Sequence, residues 1–457
     1  MVRNIFFAAT LAATFSSAVL AAGGASCGPG KACPAEAPCC SQYGVCGVGA
    51  YCLGGCDPLF SHQLDSCVPN PTCKSTDYKL KSLDDVISID KYLGDPDKAN
   101  WVSQGKPIIY KDSILLTMAE GTVGTLLEST HYVWYGNICA TMTTSQGAGV
   151  VTAFIMMSNV KDEIDFEFIG VDTVNAQSNF YSQGVTNYNN GRNLTVGNTV
   201  EKPHEYCIDW KPDELKWLID GEEKRTLKKE DTWNATSNRF DYPQTPSRVM
   251  LSLWPAGLPT NAKGTIDWAG GEISWNSPFM QNGYYYATVS EVKVECYDPP
   301  SGAKKSGNKA YKYTDKAGTN DTVEMVGDLV ILSSLYASGE DPKNDPYKVE
   351  PSKSSSGKAK PTPTVETIPG GIQGGGRVEE QPSSTNAGVV QETASNGGDG
   401  QPRQTAPASN NPGNFDQGLG GGNGGKSDAS LGMEPALGMR GGSALAVVVA
   451  VLGLVVL

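Results

Sequence analysis

Lys161-Asp162-Glu163-Ile164-Asp165-Phe166-Glu167-Phe168 reads as a single extended strand with two unlike faces. Side chains alternate across a strand, so Glu163, Asp165 and Glu167 share one side while Ile164, Phe166 and Phe168 share the other. Three acids on one face repel one another, and a fold keeps such a row only with compensation. The apolar triplet predicts a strand packed into a sheet, with the acids lining a surface or a cleft. Two readings compete: a solvated acidic edge strand, or the carboxylate pair of a retaining glycosidase. Glu163 and Glu167 have Cα atoms about 13 Å apart at about 3.3 Å per residue. On a sheet curved toward them their carboxyl groups can approach to roughly 5–5.5 Å, the separation that double displacement requires. Asp165 stands between them, where its charge can raise a neighbour's pKa and its hydrogen bonds can orient a nucleophile.

The surrounding text has the same texture. From about residue 75 to 300, short apolar-alternating runs are separated by Gly, Asn, Asp and Pro. Ile114-Leu115-Leu116, Tyr132-Val133-Trp134-Tyr135, Trp217-Leu218-Ile219 and the run 248–254 are examples. Many short strands with frequent turn signals predict an all-β sandwich or jelly roll. Asp220-Gly221 between two strands is a hairpin signal. In the run 248–254, Arg248, Met250, Ser252 and Trp254 fall on one face, and Trp268 follows a turn at Gly264-Thr265. The apolar run 329–335 predicts a closing strand or a short helix.

Glu163-Ile164-Asp165-Phe166-Glu167 matches the active-site motif of glycoside hydrolase family 16, in its variant without a bulge residue. The flanking text resembles the fungal Crh-type transglycosylases at residues 149–155, at Ile208-Asp209-Trp210, and at residues 264–271. The resemblance runs from about residue 75 to 300 and implies a concanavalin-like β-jelly-roll sandwich. It implies Glu163 as nucleophile, Glu167 as general acid and later general base, and Asp165 as auxiliary carboxylate. It also implies Glu167, Trp254, Thr265, Met250 and Trp268 as glycan contacts in the cleft. Trp254 and Trp268 equally fit ordinary core tryptophans. The implied activity cleaves chitin and transfers the new end to β-glucan, cross-linking the fungal cell wall, with no cofactor. Open alternatives are an endo-acting hydrolase of β-glucan or chitin without transfer, and a chitin-binding wall protein with an inactive site.

Residues 25–57 are dense in Cys and Gly and nearly bare of aliphatic side chains, so the segment must be stapled. Cys39-Cys40 followed by Ser41-Gln42-Tyr43-Gly44-Val45-Cys46-Gly47 is similar to the hevein-type chitin-binding module. That resemblance implies the pairs Cys27–Cys40, Cys33–Cys46 and Cys39–Cys52, and sugar contacts at Ser41, Tyr43 and Tyr51. Val45 stands where the family usually has another aromatic, which predicts weaker binding. A disulfide knot without a ligand, or an inhibitor-like scaffold, is the alternative. Spacing leaves the pairing of Cys56, Cys67, Cys73, Cys139, Cys207 and Cys296 open.

The chain has 457 residues, and its net charge of −13 argues against a nucleic-acid partner. Three His and no zinc-type spacing argue against a metal site. Residues 1–22 read as a secretory signal peptide, which makes the 12 Cys readable as disulfides. Sequons at Asn193, Asn234 and Asn320 predict N-glycosylation in that compartment. After an extension at 301–345, residues 350–430 are Ser, Pro, Gly, Thr and Gln with almost no aromatics, the composition of a disordered stalk. Residues 431–457 end in an uncharged apolar tail and read as the removed part of a glycosylphosphatidylinositol signal, with Ser427 or Asn423 as anchor. A tail-anchored membrane protein is the alternative. Localisation is expected to be secreted, tethered to the cell membrane or the wall, with chitin and β-glucan as partners.

Overall fold

The structure is a computed structural model and describes residues 25–347. The expected signal peptide, stalk and anchor signal, with Asn423 and Ser427, lie outside the described residues.

Alternating apolar runs become two stacked eight-stranded sheets, as period-two amphipathicity requires when one face must be buried. The sheet that carries the acids contains β1 (Val86–Ser88), β2 (Trp101–Gln104), β3 (Thr125–Val133) and β4 (Val150–Ser158). It continues with β5 (Glu163–Ile169), β6 (Asn175–Tyr181), β7 (Arg192–Thr195) and β8 (Ser247–Pro255). Across the sheet their order is β7-β6-β5-β4-β8-β3-β2-β1. The second sheet runs from Glu222–Lys228 through Glu214–Ile219, His204–Trp210, Gly136–Thr143, Tyr284–Cys296 and Ser113–Ala119 to Ile108–Tyr110. Thr76–Lys79 also pairs with Tyr284–Cys296. The chain is an all-β jelly roll of the expected class, with one short α-helix among the described residues, α1 (Lys263–Trp268).

The core between the sheets is aromatic. Phe166 stacks between Phe154 and Phe168 at centroid distances of 6.2 and 6.4 Å, and Tyr206 of the second sheet meets it edge-on. Burying each such ring contributes roughly 1.5–3 kcal/mol, which fixes the register of β5 and therefore the face its acids occupy. Asp220 and Gly221 both have positive φ, 51° and 80°, and close the predicted hairpin.

Three local expectations change. The run at 132–135 is not one strand: β3 ends at Val133, and Tyr135, at φ 70°, turns the chain. Thr265 lies inside α1 rather than in a turn. Residues 329–335 form neither strand nor helix but an irregular strap, because their apolar side chains serve the N-terminal module. Leu332 and Val330 pack there with Leu53, Val68, Tyr92 and Val102.

The six disulfides are Cys27–Cys40, Cys33–Cys46, Cys39–Cys52, Cys56–Cys67, Cys73–Cys296 and Cys139–Cys207. The first three hold a segment too poor in aliphatic residues to hold itself. Cys56–Cys67 extends that stapled unit, and Cys73–Cys296 ties it to the last strand of the second sheet.

Candidate active site

The acid strand is positioned by the turn before it. Lys161, at φ 65°, takes the left-handed conformation of a short hairpin joining β4 to β5. The buried carboxylate of Asp162 then acts as a hub. Its Oδ2 accepts from the Gln244 and Thr245 backbone N–H groups and the Thr245 hydroxyl, and its Oδ1 accepts from Gln183 N–H. From the opposite side Trp217 Nε1 donates to the Asp165 carbonyl at 3.0 Å. β5 is thus held at its start and its middle.

Glu163 and Glu167 stay partly exposed on one face, with Asp165, 1 % exposed, between them. Burial, and then the charges of Glu163 and Glu167, push the Asp165 carboxyl well above the usual carboxylate range. A protonated Asp165 can donate to Glu163, whereas two carboxylates in contact could only repel. Burial, and then the charge of Glu163, push Glu167 up to about 8. Both shifts favour proton retention, and Glu167, partly exposed, is the member placed to hand its proton on. That is the asymmetry a nucleophile and a general acid require.

Registers define the acid face. Opposite Glu163, Asp165 and Glu167 on β6 stand Tyr181, Asn179 and Gln177, and on β4 stand Met157, Ile155 and Ala153. One strand further, on β8, come Arg248, Met250 and Ser252, with Trp254 opposite Val151. Trp254 and Trp268 stack at 6.1 Å, and Trp268 Nε1 donates to Gln177 Oε1 at 2.9 Å. Trp254 is almost enclosed, yet its indole N–H is buried with no acceptor among the described residues. The structure therefore brings Trp254, Trp268 and Gln177 together near the Glu167 end, while Thr265 is buried on α1 and Met250 is buried in a separate cluster with Ile155, Ala153 and Leu126.

The three residues expected to contact sugar in the N-terminal module differ in exposure. Ser41 is 3 % exposed and its hydroxyl accepts the Val45 N–H, and Val45 itself is 4 % exposed. The Tyr43 hydroxyl accepts from Gln104 of β2 at 3.4 Å, and Tyr51 packs on the Gly47 backbone. Tyr43 and Tyr51 both stay partly exposed, and the module docks on the acid-bearing sheet through Gln42 and Tyr43.

Sequence reasoning missed this dock. Arg248 and Glu128 form a buried ion pair at 2.6 Å, and Gln42 accepts from Arg248 at 2.9 Å while reaching Glu128 at 3.5 Å. Gly55 N–H donates to the Tyr132 hydroxyl and to Asn159 Oδ1. A Cβ on Gly54 or Gly55 would lie 2.5 or 2.6 Å from the Arg248 guanidinium, so only glycine permits this approach.

The sequons sit unlike one another. Asn193 is exposed on β7 opposite Gln177, on the acid face. The Asn234 amide donates to Asp241, and Asn320 opens a 3-10 turn. The tightest clusters of metal-type donors among the described residues are disulfide sulfurs, Cys27–Cys33–Cys40 and Cys139–Cys207 with Glu205, with no free thiol.

Comparison with known proteins shows the family. The model of glycosyl hydrolases family 16 matches residues 95–270, which span the acid row and α1. The chain is 52 % identical over 385 residues to Crh-like protein 2 of Aspergillus fumigatus, covering 83 % of this chain and 85 % of that one. It is 54 % identical over 331 residues to Crh-like protein 3 of Botryotinia fuckeliana, covering 72 % and 74 %. It is also similar to a solved Crh5 transglycosylase without ligand, at 28 % identity and a TM-score of 0.49, over 59 % of this chain and 100 % of that chain. An acid row on a jelly roll, and relatives that match over most of their length, lead to one conclusion: the chain belongs to the fungal Crh-type enzymes of glycosyl hydrolase family 16.

Proposed function

We propose that the protein is a retaining cell-wall transglycosylase that cleaves chitin and passes the new end to a β-glucan. The observation that carries this reading is the acid row itself, Glu163 and Glu167 partly exposed on one face of β5 with buried Asp165 between them, where burial and the charge of Glu163 push Glu167 up to about 8. Glu163 attacks the anomeric carbon, forming a glycosyl–enzyme bond as the glycosidic C–O bond breaks, and Glu167 delivers its proton to the departing oxygen. Asp165, kept neutral, donates to Glu163 and orients it. Glu167, now a carboxylate, takes the proton of an incoming sugar hydroxyl, which displaces Glu163. Trp254, with its unused indole N–H, and Trp268 stacked on it are proposed as glycan contacts, together with Thr265 and Met250. Transfer wins over hydrolysis where bound acceptor excludes water.

The same reading puts the mature protein outside the cell, released from a signal peptide, N-glycosylated, and tethered by a lipid anchor at Ser427 or Asn423. Chitin oligomers with a labelled glucan acceptor test it by mass spectrometry. Labelled products longer than the acceptor are expected. Shorter products alone would leave a hydrolase, and products of inverted anomeric configuration would overturn the mechanism.

A further inference from the structure

The acid face is accessible on only part of its sheet. Its residues on β4, β8 and β3 are buried, whereas Glu163 and Glu167 of β5 and Gln177 of β6 are partly exposed. On the edge strand β7, Asn193 and Thr195 are exposed on the same face. They are the two polar members of the sequon Asn193-Leu194-Thr195, and Leu194 between them is buried in the core. The registers set Glu167, Gln177 and Asn193 in one row across β5, β6 and β7. Asn193 therefore stands two strand spacings from Glu167, roughly 10 Å. Gln177, between them, accepts the Trp268 N–H, which brings a partly exposed indole to this row. Asn234 has no such neighbours: it lies in a two-stranded hairpin outside both large sheets, with its amide N–H given to Asp241 and its Oδ1 to the Thr236 N–H.

We propose that an N-glycan on Asn193 is a tethered competitor, which occupies the acid face beside Glu167 and lowers the enzyme's apparent affinity for chitin. Attachment takes a lipid-linked oligosaccharide diphosphate as donor: the bond from Asn193 Nδ2 to the anomeric carbon forms, the sugar–phosphate bond breaks, and one amide proton leaves. The first two sugars so attached are N-acetylglucosamines joined β-1,4, the same repeat as chitin. A face that takes chitin thus meets its own ligand chemistry on a permanent tether. Trp268 offers the first rings apolar surface, and Gln177 offers them an amide. A short flexible tether holds such a ligand at an effective concentration on the order of millimolar. Free chitin at saturation displaces it, so the tether raises KM and leaves kcat alone. This inference rests on the glycosidase reading of the acid row.

The protein secreted by a fungal host tests it. Glycopeptide mass spectrometry should find a glycan on Asn193 in most molecules, and a bare Asn193 would overturn the proposal. Asn193→Gln and, separately, Thr195→Ala remove the sequon through different side chains. Each should lower KM for chitin oligomers about tenfold with kcat unchanged, as a millimolar tethered sugar of roughly 0.1 mM affinity would impose. Asn234→Gln, which removes a glycan elsewhere, should move neither constant. An unchanged KM in the sequon variants would overturn the proposal, and so would a shift in only one of them, which would belong to the side chain and not to the glycan. Calorimetry on Glu163→Gln supplies a readout without turnover: adding Asn193→Gln should tighten binding of chitin oligomers by the same factor. If no form turns over, the transglycosylase reading fails while this comparison still decides the competitor, since equal affinity with and without the glycan would reject it.

Discussion

Arg248→Ala is the most informative perturbation of the dock. Arg248 and Glu128 are 4 % and 0 % exposed, so truncation strands a carboxylate in the interior. Breaking such a buried pair from one side costs about 3–5 kcal/mol. At about 2 °C per kcal/mol for a domain of this size, Tm falls by roughly 6–10 °C. The loss depends on pH. Burial already raises the Glu128 pKa against the opposing pull of Arg248, and removing the guanidinium raises it further. A carboxyl with a raised folded-state pKa contributes stability below its unfolded value and loses it as pH rises. The deficit of Arg248→Ala should therefore be smallest near pH 4 and grow through pH 7. Replacing both partners, Arg248→Met with Glu128→Leu, should recover most of it, since neither charge is then stranded. Thermal unfolding followed by circular dichroism at several pH values checks all three statements. A single variant within about 1 kcal/mol of the parent at pH 7 would refute the reasoning, because it would mean that water reaches Glu128.

Three further outcomes are expected. Glu163→Gln should abolish turnover, with Tm unchanged or raised because the acid row then carries less negative charge; retained turnover in a kinetic assay would remove it as nucleophile. The rate at saturating substrate should fall as pH rises through about 8, because Glu167 must carry the proton it donates, and by the same shift its contribution to stability declines between its ordinary 4.5 and about 8; a profile flat to pH 9.5 would contradict that assignment. Asp162→Ala should cost about 3–5 kcal/mol in urea unfolding, since it orphans the donors on Gln183, Gln244 and Thr245; a loss below about 1 kcal/mol would deny the hub its role.

Much of the site could be read from alternation alone. Glu163, Asp165 and Glu167 against Ile164, Phe166 and Phe168 is a local pattern, and local patterns survive folding when one face is buried. The Asp220-Gly221 turn is local in the same sense. What could not be read is made of distant partners. Gln42 meets Glu128 and Arg248 across 86 and 206 residues, and no periodicity in 41–55 announces that its glycines leave room for a guanidinium. Arg248 lies on the same face as Met250 and Trp254, as the spacing predicted, but spacing cannot say what covers that face. Asp162 stood beside the acid row in the quoted stretch, and its separate duty depends on Gln244 and Thr245, about 80 residues on. The 329–335 run misled because apolar density reports burial without reporting backbone shape.

The strap beyond the sandwich has a consequence for the order in which the molecule is made. Gly49 N–H donates to the Ala337 carbonyl at 2.7 Å, Gly339 N–H to Ser66, and a Cβ on Gly49 would strike Leu335. About 290 residues separate Gly49 from Ala337, so at about 5–20 residues per second the module waits roughly 15–60 s for its clamp during translation. Its three internal crosslinks let it survive that interval as a preformed unit. The catalytic strands emerge meanwhile, and a nascent chain released before the strap is made would leave the ribosome with its module unclamped.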